Sequence, residues 1–398
     1  MRDSDAVRWV LESARTATSV TIMLPAWSRT ALVIGVAAAV MGGPVTSAAG
    51  TAVTSTAGTA VTSTAVTGTA GAVGSAGQLG VANGGDQLPR LVYAPYFETW
   101  TKDSITAVAR RSGARYFTLA FLQTPRRGSC TLAWNGRRRQ QVARGGRYTA
   151  QIAALRSMGG AVIPSFGGYS ADQDGTEIAD SCASVQKIAR AYESVVTTYD
   201  VTRLDMDVEA RSLGNRSGIA RRSEAIGLLQ RWAARRHRRV QIVFTLGVMP
   251  SGLPGNCLAV LQSALAHGVT ISAVNVMAFD YYNHKTDMGT EAISALRSTH
   301  EQLARLYPGR SGRSLWRMEG ITLLPGIDDF PKKTEVTYPG EARAVLRFAT
   351  AHRLRLVSIW AIQRDNGGCP GAIDGNSCSG IRQQRWEFSH LLEAYTRA

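Results

Sequence analysis

Residues 202–210 read TRLDMDVEA. Taken as a strand whose side chains alternate between two faces, the stretch places Leu204, Met206 and Val208 on one side and Asp205, Asp207 and Glu209 on the other. Carboxylates two residues apart on a strand stand about 6.6 Å from each other, and in a partly buried setting each disfavours ionisation of the next. The repulsion needs a reason, and the surrounding sequence supplies a frame for one.

Seven further apolar runs of strand length flank this one, and helix-like segments separate them. The expected strands are LVYAPYFE from Leu91, YFTLAFLQ from Tyr116, AVIPSFGG from Ala161, RLDMDVEA from Arg203, QIVFTLGV from Gln241, AVNVMAFDYY from Ala273, MEGITLLPGI from Met318 and LRLVSIWAIQ from Leu354. SVQKIARAYESVVTTY and SEAIGLLQRWAARR are typical of the helical segments between them. Eight strand-then-helix repeats predict an α/β protein of the closed (β/α)8 TIM-barrel type. The alternative, an open doubly wound sheet, commonly carries a glycine-rich turn after its first strand, and no GxGxxG or GxxxxGK stands there. A barrel gathers functional side chains at the C-terminal ends of its strands and fills its middle with branched apolar residues. Glu209 falls near the end of strand four by this count, with Asp205 and Asp207 beneath it. A structural polar cluster or a Ca²⁺ or Mg²⁺ site would also use such acids, but a calcium loop of the EF-hand type has its acids in a DxDxDG turn, without the apolar residues seen between them here.

The ends of the chain differ from this core. Of 398 residues, 44% are hydrophobic and 19% charged, enough for one large folded domain with extensions. The first 30 residues carry Arg2, Arg8, Arg15 and Arg29, and the apolar run ALVIGVAAAVMGG follows from Ala31. That run is short for a membrane span of about 20 residues. We read residues 1–49 as an export signal, an uncleaved anchor or a buried helix being the alternatives. Residues 50–87 repeat GTAVTSTA at 50–57 and 58–65, contain no aromatic residue, and read as a flexible Gly/Ser/Thr/Ala linker. The folded domain is expected over 88–398. Export predicts oxidised cysteines: CPGAIDGNSC sets Cys369 and Cys378 across a glycine-rich loop, and Cys130 with Cys182 is the second expectation, leaving Cys257 as the odd thiol. The six histidines are scattered, without the tight Cys/His spacing of a zinc site, so neither metal nor cofactor is expected. The net charge of +16 raises a nucleic-acid partner, but RRHRR at 235–239 and GRRRQ at 136–140 lack interleaved aromatic platforms. A solvated basic surface, able to linger on anionic cell walls, is the expectation instead.

Four motifs in chain order carry a resemblance. DMDVE at 205–209 resembles the strand-four signature DxxDxDxE of family-18 glycoside hydrolases, the bacterial chitinases. SFGG at 165–168 is similar to their strand-three SxGG motif, NVMAFDYY at 275–282 to their strand-six segment, and Trp360 in SIWA stands where they carry a strand-eight tryptophan under the sugar. The resemblance covers about residues 90–398 and is strongest to secreted actinobacterial chitinases. Two departures stand out: Thr202 occupies the place of the signature's first Asp, and Phe279 the place where a tyrosine often touches the substrate acetamide, with Tyr281 or Tyr282 as possible substitutes.

The resemblance implies hydrolysis of chitin or of N-acetylglucosamine oligosaccharides. It implies Glu209 as general acid, Asp207 as partner of the substrate acetamide, and Asp205 sharing a proton with Asp207. Ser165, Gly167, Gly168, Met277, Asp280, Tyr281, Tyr282 and Trp360 are the expected substrate-side residues. Ser165 is placed to hydrogen-bond the Asp205 network, and the two glycines to let chain and sugar come close. Other expectations are a secreted monomer, with no nucleic-acid partner and no stable membrane association once the signal is cleaved. An endo-β-N-acetylglucosaminidase on other glycans, and a sugar-binding protein without catalysis, are the competing functions.

Overall fold

A computed structural model describes residues 88–328, 333–373 and 375–398. The expected export segment and linker, 1–49 and 50–87, lie outside the described residues. Strands β1 (Val92–Tyr93), β2 (Tyr96–Glu98), β3 (Tyr116–Gln123), β4 (Ala133–Trp134), β5 (Ala161–Gly167), β6 (Arg203–Val208), β7 (Gln241–Gly247), β8 (Ile271–Met277) and β9 (Glu319–Leu323) follow in order. A two-stranded hairpin, β10 (Gly326–Ile327) with β11 (Val336–Thr337), and a last strand, β12 (Leu356–Ile359), complete the set. The main sheet runs β1-β12-β9-β8-β7-β6-β5-β3-β2 with parallel pairing throughout, and β4 adds an antiparallel flap on β3. The (β/α)8 expectation holds.

Closure depends on Pro95. The run LVYAPYFE, expected as one strand, is two short ones, because proline has no N–H to give to a ladder. β1 pairs with β12 and β2 pairs with β3, so the two halves of one strand face opposite neighbours and join the ends of the sheet. Ala94 N–H donates to the Val357 carbonyl at 3.0 Å, and the Pro95 carbonyl accepts from Thr118 N–H at 3.0 Å. The kink thereby wastes no backbone group. It also turns Tyr96 into the barrel.

The helices form the outer ring for ordinary reasons. In Val185–Tyr199, Ser184 caps the first turn by accepting from Lys187 N–H, and Ile188, Tyr192, Val195, Val196 and Tyr199 make one buried stripe at helical spacing. Leu204, Met206 and Val208 of β6 point outward into that same shell. Burying each such side chain contributes roughly 1.5–3 kcal/mol. Among the described residues, the lowest interior layer groups Val92, Ala94, Ile163 and Leu356, with the buried Arg203 level with Ile163. The middle layer, expected to be branched and apolar, is polar: Tyr96, Ser165, Asp205, Thr245, Asn275 and Thr322 are buried and joined by hydrogen bonds.

Three expected strands end early, among them the last, LRLVSIWAIQ, whose strand β12 stops at Ile359 while Ile362–Arg364 form a helical turn. β8 stops at Met277, and Asp280 and Tyr282 lie beyond it in left-handed backbone, with φ of 52° and 55°. β9 stops at Leu323, and the remainder of its apolar run enters the β10–β11 hairpin. Disulfides join Cys130 to Cys182 and Cys369 to Cys378, and Cys257 is a buried thiol whose pKa is pushed up to about 12 by burial and by the nearby Glu209 charge. Non-reducing peptide mapping is expected to recover those two pairs. Reducing Cys130–Cys182, which spans 52 residues, should destabilise the fold by about 4 kcal/mol in the chain-entropy model. A Cys257 that alkylates rapidly in the native protein would contradict the described packing.

Candidate active site

The inward face of β6 carries Arg203, Asp205 and Asp207 from bottom to top, and Glu209 follows just past the strand end, half-buried and in extended backbone. Asp205 is 2% exposed and fully engaged. Its Oδ2 accepts from Tyr96 Oη at 2.9 Å and Ser165 Oγ at 2.6 Å, and its Oδ1 accepts from Thr245 Oγ1 at 2.7 Å. Thr245 Oγ1 in turn accepts from Asn275 Nδ2 at 3.0 Å, whose other contact is Thr322 Oγ1 at 2.8 Å. Burial pushes Asp205 upward, and the three hydroxyls pull it back by stabilising its charge.

Asp207 has the opposite surroundings. It is 3% exposed, and its Oδ1 is buried with no donor in the protein. Burial first, then the charges of Glu209, Asp205 and Asp172, push it well above the usual carboxylate range. The pair expected to share a proton is therefore unequal. Both acids are raised by burial, but three hydroxyls stabilise the charge of Asp205, whereas like charges push Asp207 further up.

Asp172 was not anticipated. It follows the SFGG stretch in the short helix Tyr169–Asp174, is fully buried, and its Oδ2 accepts the Glu209 backbone N–H at 2.5 Å. Burial and the neighbouring Glu177 raise its pKa, whereas the buried Arg222, paired with Glu177 at 2.9 Å, lowers it. An acid just past a strand end, the same cue that marks Glu209, was the available signal.

Gly167 and Gly168 have a nearer cause than room for a ligand. Gly167 sits at φ +95°, and a Cβ there would lie 2.1 Å from the Asp207 carbonyl oxygen; Gly168 sits at φ +81°, and its Cβ would lie 2.5 Å from the Phe121 ring. The space is already taken by Asp207 and Phe121. Phe121 stacks on Trp360, centroids 5.4 Å apart and planes at 14°. Tyr96 meets Trp360 edge-on at 5.4 Å, and Trp100 lies 6.1 Å away, so the expected tryptophan belongs to an aromatic wall of four. Beside Trp100 opens a cavity of about 440 Å³ lined by Glu98, Asp103, Gln363 and Arg385 among others.

The strand-six residues separate. Met277 ends β8, half-buried. The Asp280 N–H donates to Asp328 Oδ2 at 2.8 Å, and Glu335 accepts from the N–H groups of Tyr281, Asn283 and His284, which pins the loop. Tyr281 is 1% exposed and Tyr282 41%, so of the two tyrosines Tyr282 is the one a ligand in solution reaches. Among the described residues, no cluster of His, Cys, Asp and Glu is arranged to hold a metal ion.

A closed parallel barrel with stacked acids at the end of its fourth barrel strand and an aromatic wall beside them defines the class of the glycoside-hydrolase barrels. The chain belongs to glycosyl hydrolases family 18, whose model matches residues 92–314. It is 31% identical over 325 residues to the probable bifunctional chitinase/lysozyme of Escherichia coli, a match covering 78% of this chain and 35% of that protein. It is 32% identical over 290 residues to endochitinase 11 of Metarhizium anisopliae, covering 70% of this chain and 53% of that protein. The chain thus spans about a third and about half of these two curated relatives. Among solved structures, active domain 2 of the chitinase from Pyrococcus furiosus superposes with a TM-score of 0.69 at 26% identity, over 79% of this chain and 97% of that one. The same domain has been solved in complex with chito-oligosaccharides.

The glycine geometry generates a stability test. Gly167→Ala combines a left-handed backbone with a clash against Asp207 and should destabilise the fold by at least about 1–3 kcal/mol, read as a fall in urea midpoint. An unchanged midpoint would mean that β5 and β6 are not this close.

Proposed function

We propose that this chain hydrolyses β-1,4-linked N-acetylglucosamine polymers, chitin above all, by a retaining, substrate-assisted mechanism. The observation that carries the reading is the inequality of the two buried acids. Asp205 is satisfied by three hydroxyls, and Asp207, one step higher on the same face, keeps a buried oxygen that lacks a donor. An acetamide N–H from a sugar seated against the aromatic wall supplies that donor.

The chemistry follows from position. Glycosidic cleavage needs an acid for the leaving oxygen and a nucleophile on the opposite face of the sugar. Glu209 gives its proton to the glycosidic oxygen as the bond from that oxygen to the anomeric carbon breaks. Asp207 approaches from the same side as Glu209, so the attacking atom is the acetamide carbonyl oxygen of the substrate, which closes an oxazolinium ring. Asp207 holds the acetamide N–H, orients that oxygen and stabilises the ring's positive charge. The Glu209 carboxylate then takes a proton from water, water attacks the anomeric carbon, and the ring reopens to the acetamide with the β configuration kept. The Glu209 charge is the first of the like charges that, after burial, push Asp207 upward, so the two acids are electrostatically linked.

The two disulfides and the apolar run from Ala31 support a secreted catalytic unit at 88–398 behind an export segment and linker; that it acts as a monomer is part of the proposal. Endo action, with mid-chain cleavage, fits a site walled by Trp100 and Trp360 and extended by the cavity beside Trp100.

Reducing ends released from colloidal chitin test the reading. Glu209→Gln should lower the rate by roughly 10²–10⁴-fold while oligosaccharide binding persists. Asp172→Ala, which leaves the Glu209 N–H unpaired, should lower kcat roughly tenfold or more with little change in KM, and Asp172→Asn, which can still accept that bond, should recover most of it. A Glu209→Gln enzyme within threefold of the parent rules out the acid; a parent that binds chitin oligosaccharides and releases no ends makes the chain a binding protein. Release from N-linked glycans in preference to chitin would favour an endo-β-N-acetylglucosaminidase.

A further inference from the structure

The opposite end of the barrel carries a second constellation that the reaction does not use. Arg203, the first residue of β6, points along the same inward face as Asp205 but at the bottom of the barrel, and is 1% exposed. Its Nε donates to Gln241 Oε1 at 2.9 Å, and its Nη1 is buried without a partner. Arg355, one residue before β12, is half-buried, and its Nε is likewise buried without a partner. Arg90, Arg239 and Arg317 each stand two residues before β1, β7 and β9 and are exposed. Five strand starts thus bring five arginines to one mouth.

These groups lie close enough to repel. Burial and then the Arg355 charge push Arg203 down to about 9, and burial followed by Arg90, Arg239 and Arg317 lowers Arg355. Among the described residues no carboxylate forms an ion pair with any of the five. Glu319, which opens β9, is turned outward to His300 at 2.8 Å, and Asp200, near the start of β6, pairs with Arg238. A buried unpaired guanidinium is strongly disfavoured, and the Arg355 charge beside it, itself facing Arg90, Arg239 and Arg317, makes it more so. Its planar fork suits a tetrahedral oxoanion, and a low-dielectric mouth of one sign of charge concentrates anions from solution. The exposure falls from the three rim arginines through Arg355 to Arg203, a graded path inward. An eight-stranded barrel is narrow enough for long side chains from its strand starts to meet in the middle.

We propose that the N-terminal mouth of the barrel is a binding site for an inorganic oxoanion, phosphate or sulfate, held by Arg203 and Arg355 with Arg90, Arg239 and Arg317 at the rim. The bound anion supplies acceptors for the two unpartnered N–H groups and relieves the repulsion among the arginines. The site is independent of the sugar chemistry, since it opens on the face opposite Glu209.

Calorimetric titration of the full chain with inorganic phosphate, at ionic strength held constant with sodium chloride, tests this. One saturable site is expected, together with a melting temperature that rises and levels off with phosphate. Arg355→Gln should weaken binding at least tenfold and flatten the thermal response, leaving chitin hydrolysis at the parent rate. Arg203→Met should abolish binding and, having lost the buried charge, melt no lower than the parent in phosphate-free buffer. Neutralising Arg137, Arg138 and Arg139 together, in the exposed basic loop, should leave the titration unchanged. A parent whose melting temperature tracks ionic strength whatever the anion, or an Arg355→Gln protein that binds phosphate as tightly as the parent, overturns the proposal.

Discussion

Asp205 occupies a level of the barrel where branched apolar side chains are usual, and hydroxyls from three different strands keep it there. A buried carboxylate is tolerated only when its lone pairs are met, and here Tyr96, Ser165 and Thr245 meet them from β2, β5 and β7. Asn275 and Thr322 extend the network to β8 and β9. Five strands besides β6 therefore have their inward residue types set by one acid. The same satisfaction makes Asp207 distinctive, because both oxygens of the acid below it are met by hydroxyls and its own Oδ1 is left without a donor.

This network requires the barrel to close where it does. Pro95 divides the first strand so that Tyr96 pairs beside β3 and swings its hydroxyl to Asp205, and the neighbouring halves bind β12 and β3 without orphaned backbone groups. Gly167 and Gly168 perform the matching task on the other side, letting the end of β5 approach the Asp207 carbonyl and letting Phe121 lie against Trp360. Asp172 then grips the backbone of Glu209 from beneath. The acid that sits in looser, half-buried chain is thus anchored by one that is fully buried. Stability and reactivity draw on the same few contacts.

Much of this was legible in the sequence because period-two alternation survives in β6, and because eight apolar runs at regular spacing leave few other architectures. SFGG, DMDVE and SIWA straddle the C-terminal ends of β5, β6 and β12, as a barrel site requires. What could not be read was spatial. Nothing in the order of residues places Thr245 or Tyr96 against Asp205, since each belongs to a separate strand and threonine and tyrosine are ordinary strand formers. VMAFDYY looked like one long strand for the same reason, its aromatic and branched residues favouring extended chain. The structure ends that strand at Met277 because Asp280 and Tyr282 adopt left-handed backbone and Glu335, some 50 residues away in sequence, pins the loop. Trp100 and Phe121 carry no signal of their own in the sequence and join Trp360 only in the closed barrel. The arginines at the strand starts read as part of a uniformly basic surface, and only their shared mouth separates them from it.

The proposed hydrolysis requires Asp207 to act through the acetamide of the substrate. The most direct measurement is to digest partly deacetylated chitosan and identify the sugar at each newly formed reducing end. If the substrate's carbonyl oxygen is the nucleophile, a glucosamine unit before the cut has nothing with which to attack, and the new reducing ends should be N-acetylglucosamine almost without exception. Frequent glucosamine at those ends would mean that a carboxylate or an activated water attacks instead, and that the unequal pair of buried acids serves another purpose.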